Sequence, residues 1–323
     1  MTITQDPSAP LVAVVGATGN QGGSVVAALA ESGKAYRIRA FTRDSTKPAA
    51  RSLADRGVDV VEVSLTVDNR EKVFEAFKGA DYAFLVTNFL EHCDVSRETA
   101  EGKLLIDAAA AASPSGIRGI IWSGLPPFAA LTSGKYRNIL HSEGKAAITA
   151  YGRACGVPFV DVQAGYYTSN YLGGPTSAEK RADGEYVIAW PMRAETLVPV
   201  IVIERDYGLF VRAVLEMPEF PAGREFITYG ELISNAELVA QIAKGTGKNV
   251  TFEQVPLSHF KARLEAAKYP PHLVRDLCEF AQYWDEFGLH PPGADASLLQ
   301  LVARPHRTWA QFVKEADWGR VLA

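Results

Sequence analysis

Three glycines at a spacing of three, Gly16, Gly19 and Gly22, stand in the run Val14-Val15-Gly16-Ala17-Thr18-Gly19-Asn20-Gln21-Gly22-Gly23. An apolar run, Leu11–Val15, precedes them, and a helix-like segment from Gly22 to Glu31 follows. A glycine pattern between a buried strand and a helix presents free backbone N–H groups, and the positive end of the helix dipole, to a phosphate. Gly16 allows the tight turn, Gly19 lets the main chain approach a pyrophosphate, and Gly22 lets the helix pack closely on a sheet. The chemistry expected is dinucleotide binding, with Thr18, Asn20 and Gln21 counted among the contacts. The alternative is a bare strand–turn–helix without a ligand.

The end of the next strand separates the two nicotinamide dinucleotides. A carboxylate there suits a free ribose 2′-hydroxyl, whereas cations suit a 2′-phosphate. The chain reads Thr42-Arg43-Asp44-Ser45-Thr46-Lys47 at this point. Arg43 and Lys47 favour NADP(H), and Asp44, which could serve a ribose diol, keeps NAD(H) as the alternative. The bland reading is a solvated, charged loop.

Other reactive residue types are sparse. Cys93, Cys155 and Cys278 are far apart and form no Cys-x-x-Cys pair, so neither a disulfide framework nor a thiolate metal site is expected. Cys93 is weighed as a reactive thiol against the commoner role of a small buried hydrophobe. None of the six histidines falls in a metal-binding spacing, and no metal is expected.

Elements must position these residues. Strand-like runs are Leu11–Val15, Tyr36–Phe41, Val58–Val61, Tyr82–Val86, Ile117–Trp122 and Phe159–Val162. Each is short and apolar on both faces, as a buried parallel strand requires. Helix-like segments Pro48–Arg56, Arg70–Phe77, Val95–Ala112 and Glu143–Ala154 alternate with them. This order predicts an α/β fold with a doubly wound parallel sheet. Beyond residue 165 the rhythm changes, with helical segments Asn235–Ala243 and His272–Phe287 and short strands Phe226–Thr228 and Val250–Val255. The expected division is a nucleotide-binding domain over 1–165 and a smaller α+β portion over 166–323, some of whose strands could return to the main sheet. Tyr166, Tyr167 and Asn170 follow the sixth strand and either line a pocket or pack.

The whole chain, 323 residues with a net charge of −4 and 22% charged residues, is an ordinary globular mix. It has no clustered basic footprint, so direct nucleic-acid binding is not expected. No apolar stretch approaches the ~18–20 residues of a membrane span. The polar stretch Met1–Pro10 has no secretory character. The expected location is the cytoplasm, with the nucleus as a second site.

The motifs Gly16-Ala17-Thr18-Gly19-Asn20-Gln21-Gly22, Thr42-Arg43-Asp44, Val86-Thr87-Asn88-Phe89, Gly102-Lys103-Leu104-Leu105 and Ser123-Gly124-Leu125 occur in this order. Together they resemble the NmrA-like family, an atypical branch of the short-chain dehydrogenase superfamily, and its NADP(H) redox-sensor members most. The likeness extends to Thr308-Trp309-Ala310-Gln311-Phe312. It implies a Rossmann-type domain with a smaller C-terminal domain. It also implies Arg43 and Lys47 at the 2′-phosphate, Thr87 and Asn88 at the adenosine and ribose, and Lys145 near the nicotinamide ribose. Tyr166 is placed among the cofactor contacts.

Reductases of that superfamily use Tyr-x-x-x-Lys, whose two side chains share one helix face. The chain reads His141-Ser142-Glu143-Gly144-Lys145, so the lysine is present and histidine replaces the tyrosine. Ser123 stands where such enzymes carry a serine. Tyr136 and Tyr151 lack a lysine four residues on. Two functions follow. The first is a redox sensor or transcriptional regulator that binds NADP(H) and gains or loses a protein partner or a second copy of itself. The second is an NADPH-dependent reductase of a small carbonyl, imine, enone or quinone, using Lys145, His141 and Ser123.

Overall fold

The computed structural model describes residues 3–323. The first half folds as alternating strands and helices: β1 (Leu11–Val14), α1 (Asn20–Ala30), β2 (Arg37–Thr42), α2 (Pro48–Asp55), β3 (Asp59–Glu62), α3 (Arg70–Phe77), β4 (Tyr82–Leu85), α4 (Val95–Ala110), β5 (Gly119–Trp122), the single turn α5 (Phe128–Leu131), α6 (Leu140–Ala154) and β6 (Phe159–Ala164). The rest adds β7 (Tyr166–Tyr167), β8 (Glu179–Lys180), β9 (Tyr186–Trp190), β10 (Leu197–Ile201), α7 (Ile203–Glu216), β11 (Glu225–Thr228), β12 (Glu231–Ser234), α8 (Asn235–Thr246), β13 (Val250–Gln254), α9 (Leu257–Ala266), α10 (Pro271–Phe287) and α11 (Trp309–Glu315).

The main sheet has seven parallel strands in the order β3-β2-β1-β4-β5-β6-β11. The order reverses between β1 and β4, the switch point at which open α/β sheets bind ligands. Alternate strand residues feed two cores. Val12, Val14, Phe84, Ile121 and Val162 pack with α1 and α7 on one face. Ala13, Val15, Leu85, Ile120 and Trp122 pack with α3, α4 and α6 on the other. Burial on both faces explains the continuous apolar runs of β1, β4 and β5. Strand β2 instead alternates, with Arg37 and Arg39 half-buried, and the edge strand β3 is partly exposed, so neither is apolar on both faces.

Residues 203–216, unassigned in the sequence analysis, form α7, which closes the first face. The backbones of α1 and α7 touch at Gly208. Its N–H donates to Ser24 Oγ at 2.9 Å, and a Cβ there would lie 2.0 Å from the Ser24 carbonyl oxygen. Residues beyond 165 therefore contribute to both cores: β11 joins the main sheet, α7, Leu298 and Val302 pack in the first core, and most of the remainder builds a second.

That second core joins two three-stranded sheets, β12-β10-β7 and β13-β9-β8, to α8–α11 around Trp190, Trp284, Trp309 and Trp318. Among the described residues, no helix is long and apolar enough to cross a membrane.

Candidate functional site

The glycine turn has the geometry its spacing predicted. Gly16 adopts φ +67°, and a Cβ on Gly22 would stand 2.4 Å from both the carbonyl carbon and oxygen of Gly16. Only glycine fits there. Helix α1 starts at Asn20, two residues earlier than its apolar pattern suggests, and Gly19 at its cap offers no side-chain acceptor. The first-turn N–H groups are thus left without a capping side chain, and Thr18, Gly19 and Asn20 are exposed. Gln21 donates from Nε2 to the Tyr167 hydroxyl at 2.5 Å, while its Oε1 is buried without a partner. A cradle that a Cβ would fill and an uncapped helix start both fit a bound pyrophosphate, whereas the orphan Gln21 oxygen needs a donor and fits a hydroxyl or amide group instead.

At the end of β2, Arg43 is 69% exposed and pairs with Glu91 from the turn after β4. Lys47 is exposed at the start of α2. Asp44 faces its own loop: its carboxylate accepts from Thr46 N at 2.9 Å and Thr46 Oγ1 at 2.6 Å, and these bonds hold it below the usual carboxylate range. Asp44 is thereby committed to turn geometry, while the two cations remain at the surface.

Lys145 lies on α6 with its ammonium buried against the end of β4. Nζ donates to Thr87 O (2.9 Å), Thr87 Oγ1 (2.8 Å) and Glu98 Oε1 (2.8 Å). All three donors are used. Glu98, on α4, is fully buried, and its second oxygen has no partner. Burial pushes the Lys145 ammonium below its ordinary value, against the opposing pull of Glu98. Gly144 is small for a reason, since a Cβ there would meet Glu98 Oε2 at 2.4 Å. Glu98 escaped sequence reasoning because nothing in its local pattern marks it as buried.

His141 sits one turn before Lys145, because α6 begins at Leu140 rather than near Glu143. Its Nδ1 is 2.5 Å from Asp276 Oδ1, and its backbone N–H donates to Asp276 Oδ2 at 2.8 Å. Ser123 is buried at the end of β5, and Tyr207 of α7 donates to Val162 O at 2.8 Å. Beneath this loop Asp161 is fully buried. It accepts from Gly124 N (2.8 Å), Thr149 Oγ1 (3.1 Å) and Gln163 Nε2 (3.2 Å), and burial pushes its carboxyl up to about 7.

A chamber of about 470 Å³ lies over the C-terminal ends of β4, β5 and β6; Gly16, Thr18, Gly19, Asn20, Gly22, Arg43 and Lys47 are not among the residues that line it. Gln21, Thr87, Asn88, Ser123, His141 and Lys145 form the side nearer the sheet. Tyr166, Trp190, Tyr269, Phe280 and Trp284 form an aromatic far side. Tyr166 belongs to that cage: its ring meets Trp190 and Trp284 at 5.8 and 5.0 Å, and its hydroxyl reaches Thr176. The tyrosine linked to the glycine turn is Tyr167. Asn170 also lines the chamber.

Three weighed residues fall elsewhere. Tyr136 donates to Glu286 and packs on Tyr283, and Tyr151 donates to Asp107; neither borders the chamber. Cys93 has φ +55°, and burial pushes its thiol up, with the charge of Asp276 adding to the effect. That environment opposes thiolate formation.

Residues 8–313 match the family model described as the NmrA-like family. The NmrA-like family domain-containing oxidoreductase FrzB of Cladobotryum sp is 31% identical over 264 residues, 76% of each chain. Among solved structures, the negative transcriptional regulator NmrA in complex with NAD superposes with a TM-score of 0.76 at 20% identity, over 96% of this chain and 99% of that one. The NADPH-dependent quinone oxidoreductase of Escherichia coli, in complex with NADPH, superposes with a TM-score of 0.75 at 21% identity, over 94% and 98%. At these identities the structural likeness speaks to the fold alone.

Proposed function

This chain belongs to the NmrA-like family, and on that premise we propose that it is an NADP(H)-dependent oxidoreductase acting on an apolar, aromatic carbonyl, imine, enone or quinone. The observation that carries this reading is the aromatic chamber, one side of which bears Lys145 and His141 on successive turns of α6 and runs on to Gln21 beside the glycine turn. A chamber of that size with few polar groups suits a small planar ligand. FrzB, by name an oxidoreductase of the same family, supports the reaction class.

The bound dinucleotide would supply hydride equivalents. Gly16, Gly19, Gly22 and the first turn of α1 would hold its pyrophosphate, with Arg43 and Lys47 at the 2′-phosphate. Thr87, Asn88 and Lys145 border the space between turn and cage and would orient the riboses. Lys145 can do so only by exchanging one of its present acceptors. His141 would exchange the proton at the substrate heteroatom through Nε2, the ring nitrogen left without a partner. Ser123 would orient that heteroatom.

The second reading, a dinucleotide-dependent sensor that changes its association with a protein partner or a second copy, is favoured by one observation: the tyrosine of the usual acid pair is His141. The test is NADPH oxidation over a panel of aromatic carbonyls and quinones, with His141→Gln beside the parent. Turnover lost in the variant at unchanged NADPH affinity supports the enzyme. Tight NADPH binding with no turnover on any panel member defeats it in favour of the sensor.

A further inference from the structure

We propose that Asp276, on α10 of the C-terminal portion, is a positioning residue that fixes the His141 ring with Nδ1 protonated and Nε2 turned to the chamber; this rests on the role given to His141 above. The local sequence explains why an outside group is needed. Helix α6 is capped by Ile139, which has no side-chain acceptor. The first-turn N–H of His141 is met instead by Asp276 Oδ2 at 2.8 Å, and the ring by Oδ1 at 2.5 Å. One fully buried carboxylate thus spends one oxygen on the helix start and the other on the imidazole.

A carboxylate on Nδ1–H selects the tautomer in which Nε2 gains and loses the proton, so the ring gives a proton to the substrate from its doubly protonated form and is left neutral with Nδ1–H still on Asp276. Phe280, one turn along α10, sets its ring edge-on to the imidazole at 4.9 Å and 88°, which restricts rotation about the side chain. The His141 side chain keeps 22% of its surface accessible, and the residue lines the chamber.

The rest of α10 is fastened to the same stretch of chain. Glu279 accepts from Asn138 N at 2.7 Å and from Asn138 Nδ2 at 2.5 Å. Glu286 accepts from Tyr136 OH at 2.7 Å and from Lys135. Carboxylates at 276, 279 and 286 therefore clasp residues 135–141. The proton-exchanging residue comes from the sheet-forming part and its orienting group from the C-terminal part, so the pair is complete only when α10 is docked.

The experiment is ¹⁵N NMR of the histidine rings in the full chain, with His141→Gln to assign the resonance, on the parent and on Asp276→Asn. The neutral parent ring is expected to be protonated at Nδ1, and Asp276→Asn to shift protonation toward Nε2. On a panel substrate that turns over, kcat should fall about 10²–10⁴-fold with the NADPH Kd unchanged. A parent ring protonated at Nε2 overturns the proposal, even if Asp276→Asn does not fold. So does a folded variant that is merely less stable and keeps the parent tautomer, which is the behaviour of a helix cap alone. Absence of turnover in the parent would defeat the enzyme reading, while the tautomer still decides the role of Asp276.

Discussion

Replacing Lys145 by methionine is expected to cost stability before it costs chemistry. The Lys145 side chain is 13% exposed and that of Glu98 is not exposed at all, with 2.8 Å between Nζ and Oε1. At that distance and an effective dielectric of about 20, Coulomb attraction is roughly 6 kcal/mol, an upper bound before desolvation is set against it. Removing one partner of a buried pair strands the other, at about 3–5 kcal/mol. Glu98 already has one oxygen without a partner, and Thr87 Oγ1, which donates to Oε1 at 2.7 Å, would be its remaining support. Lys145→Met should therefore lose about 3–5 kcal/mol in equilibrium urea denaturation at pH 7. Glu98→Gln added to it removes the stranded charge and should recover most of that loss. A loss below about 1 kcal/mol, or a double variant no more stable than Lys145→Met, refutes the reasoning. The result also governs how activity is read, because inactivity of a Lys145 variant means something only when compared with the double variant.

Further outcomes follow from the same geometry. Gly22→Ala forces a methyl onto the Gly16 carbonyl at 2.4 Å, so it should destabilise the chain by about 1–3 kcal/mol and abolish dinucleotide binding measured by calorimetry; retained affinity would disconnect the turn from the ligand. Arg43→Ala should weaken NADPH by roughly 1.5–3 kcal/mol and leave NADH unchanged, and an equal loss for both would remove the 2′-phosphate assignment. Glu91→Gln releases Arg43 from its exposed pair and should tighten NADPH by about 0.2–1 kcal/mol without affecting NADH. Asp161, pushed up to about 7 from 3.8, keeps its proton in the folded state where the unfolded chain has lost it. Stability should then fall as pH rises from about 4 to about 7, by up to roughly 4 kcal/mol at about 1.4 kcal/mol per unit. Urea midpoints for Asp161→Asn should show less of this slope, and identical slopes would mean that Asp161 is ionised in the fold.

The parts of the site built from adjacent residues were legible in the chain. The cradle Gly16–Gly22 reads directly, because a turn, a close approach and a helix start are local demands met within seven positions. The central parallel strands β1, β4 and β5 read from apolar runs, since burial on two faces leaves no room for alternation, whereas β2 and the edge strand β3 keep polar residues on an open side. Helix α7 carried its own signal, with Ile203, Tyr207, Phe210, Val211 and Val214 at helical spacing and all buried. Gly208 in its middle is the point where α7 meets α1, a contact that no local pattern announces.

What the chain could not disclose is whatever depends on a partner far away in sequence. The expected helix began at Glu143 and left His141 outside it, because no capping side chain precedes Leu140; the first-turn N–H of His141 is met by Asp276, 135 positions on. Lys145 read as a free ligand for ribose because its three acceptors, two from Thr87 and one from Glu98, lie on other elements. In both cases a residue's type gave its chemistry, and a distant carboxylate decides whether that chemistry is available. The missing tyrosine is therefore a weaker argument against catalysis than it is in the sequence alone. A histidine anchored on a buried carboxylate, one helical turn from a buried lysine and lining an aromatic chamber, is the arrangement that the proposed proton exchange by a different side chain requires.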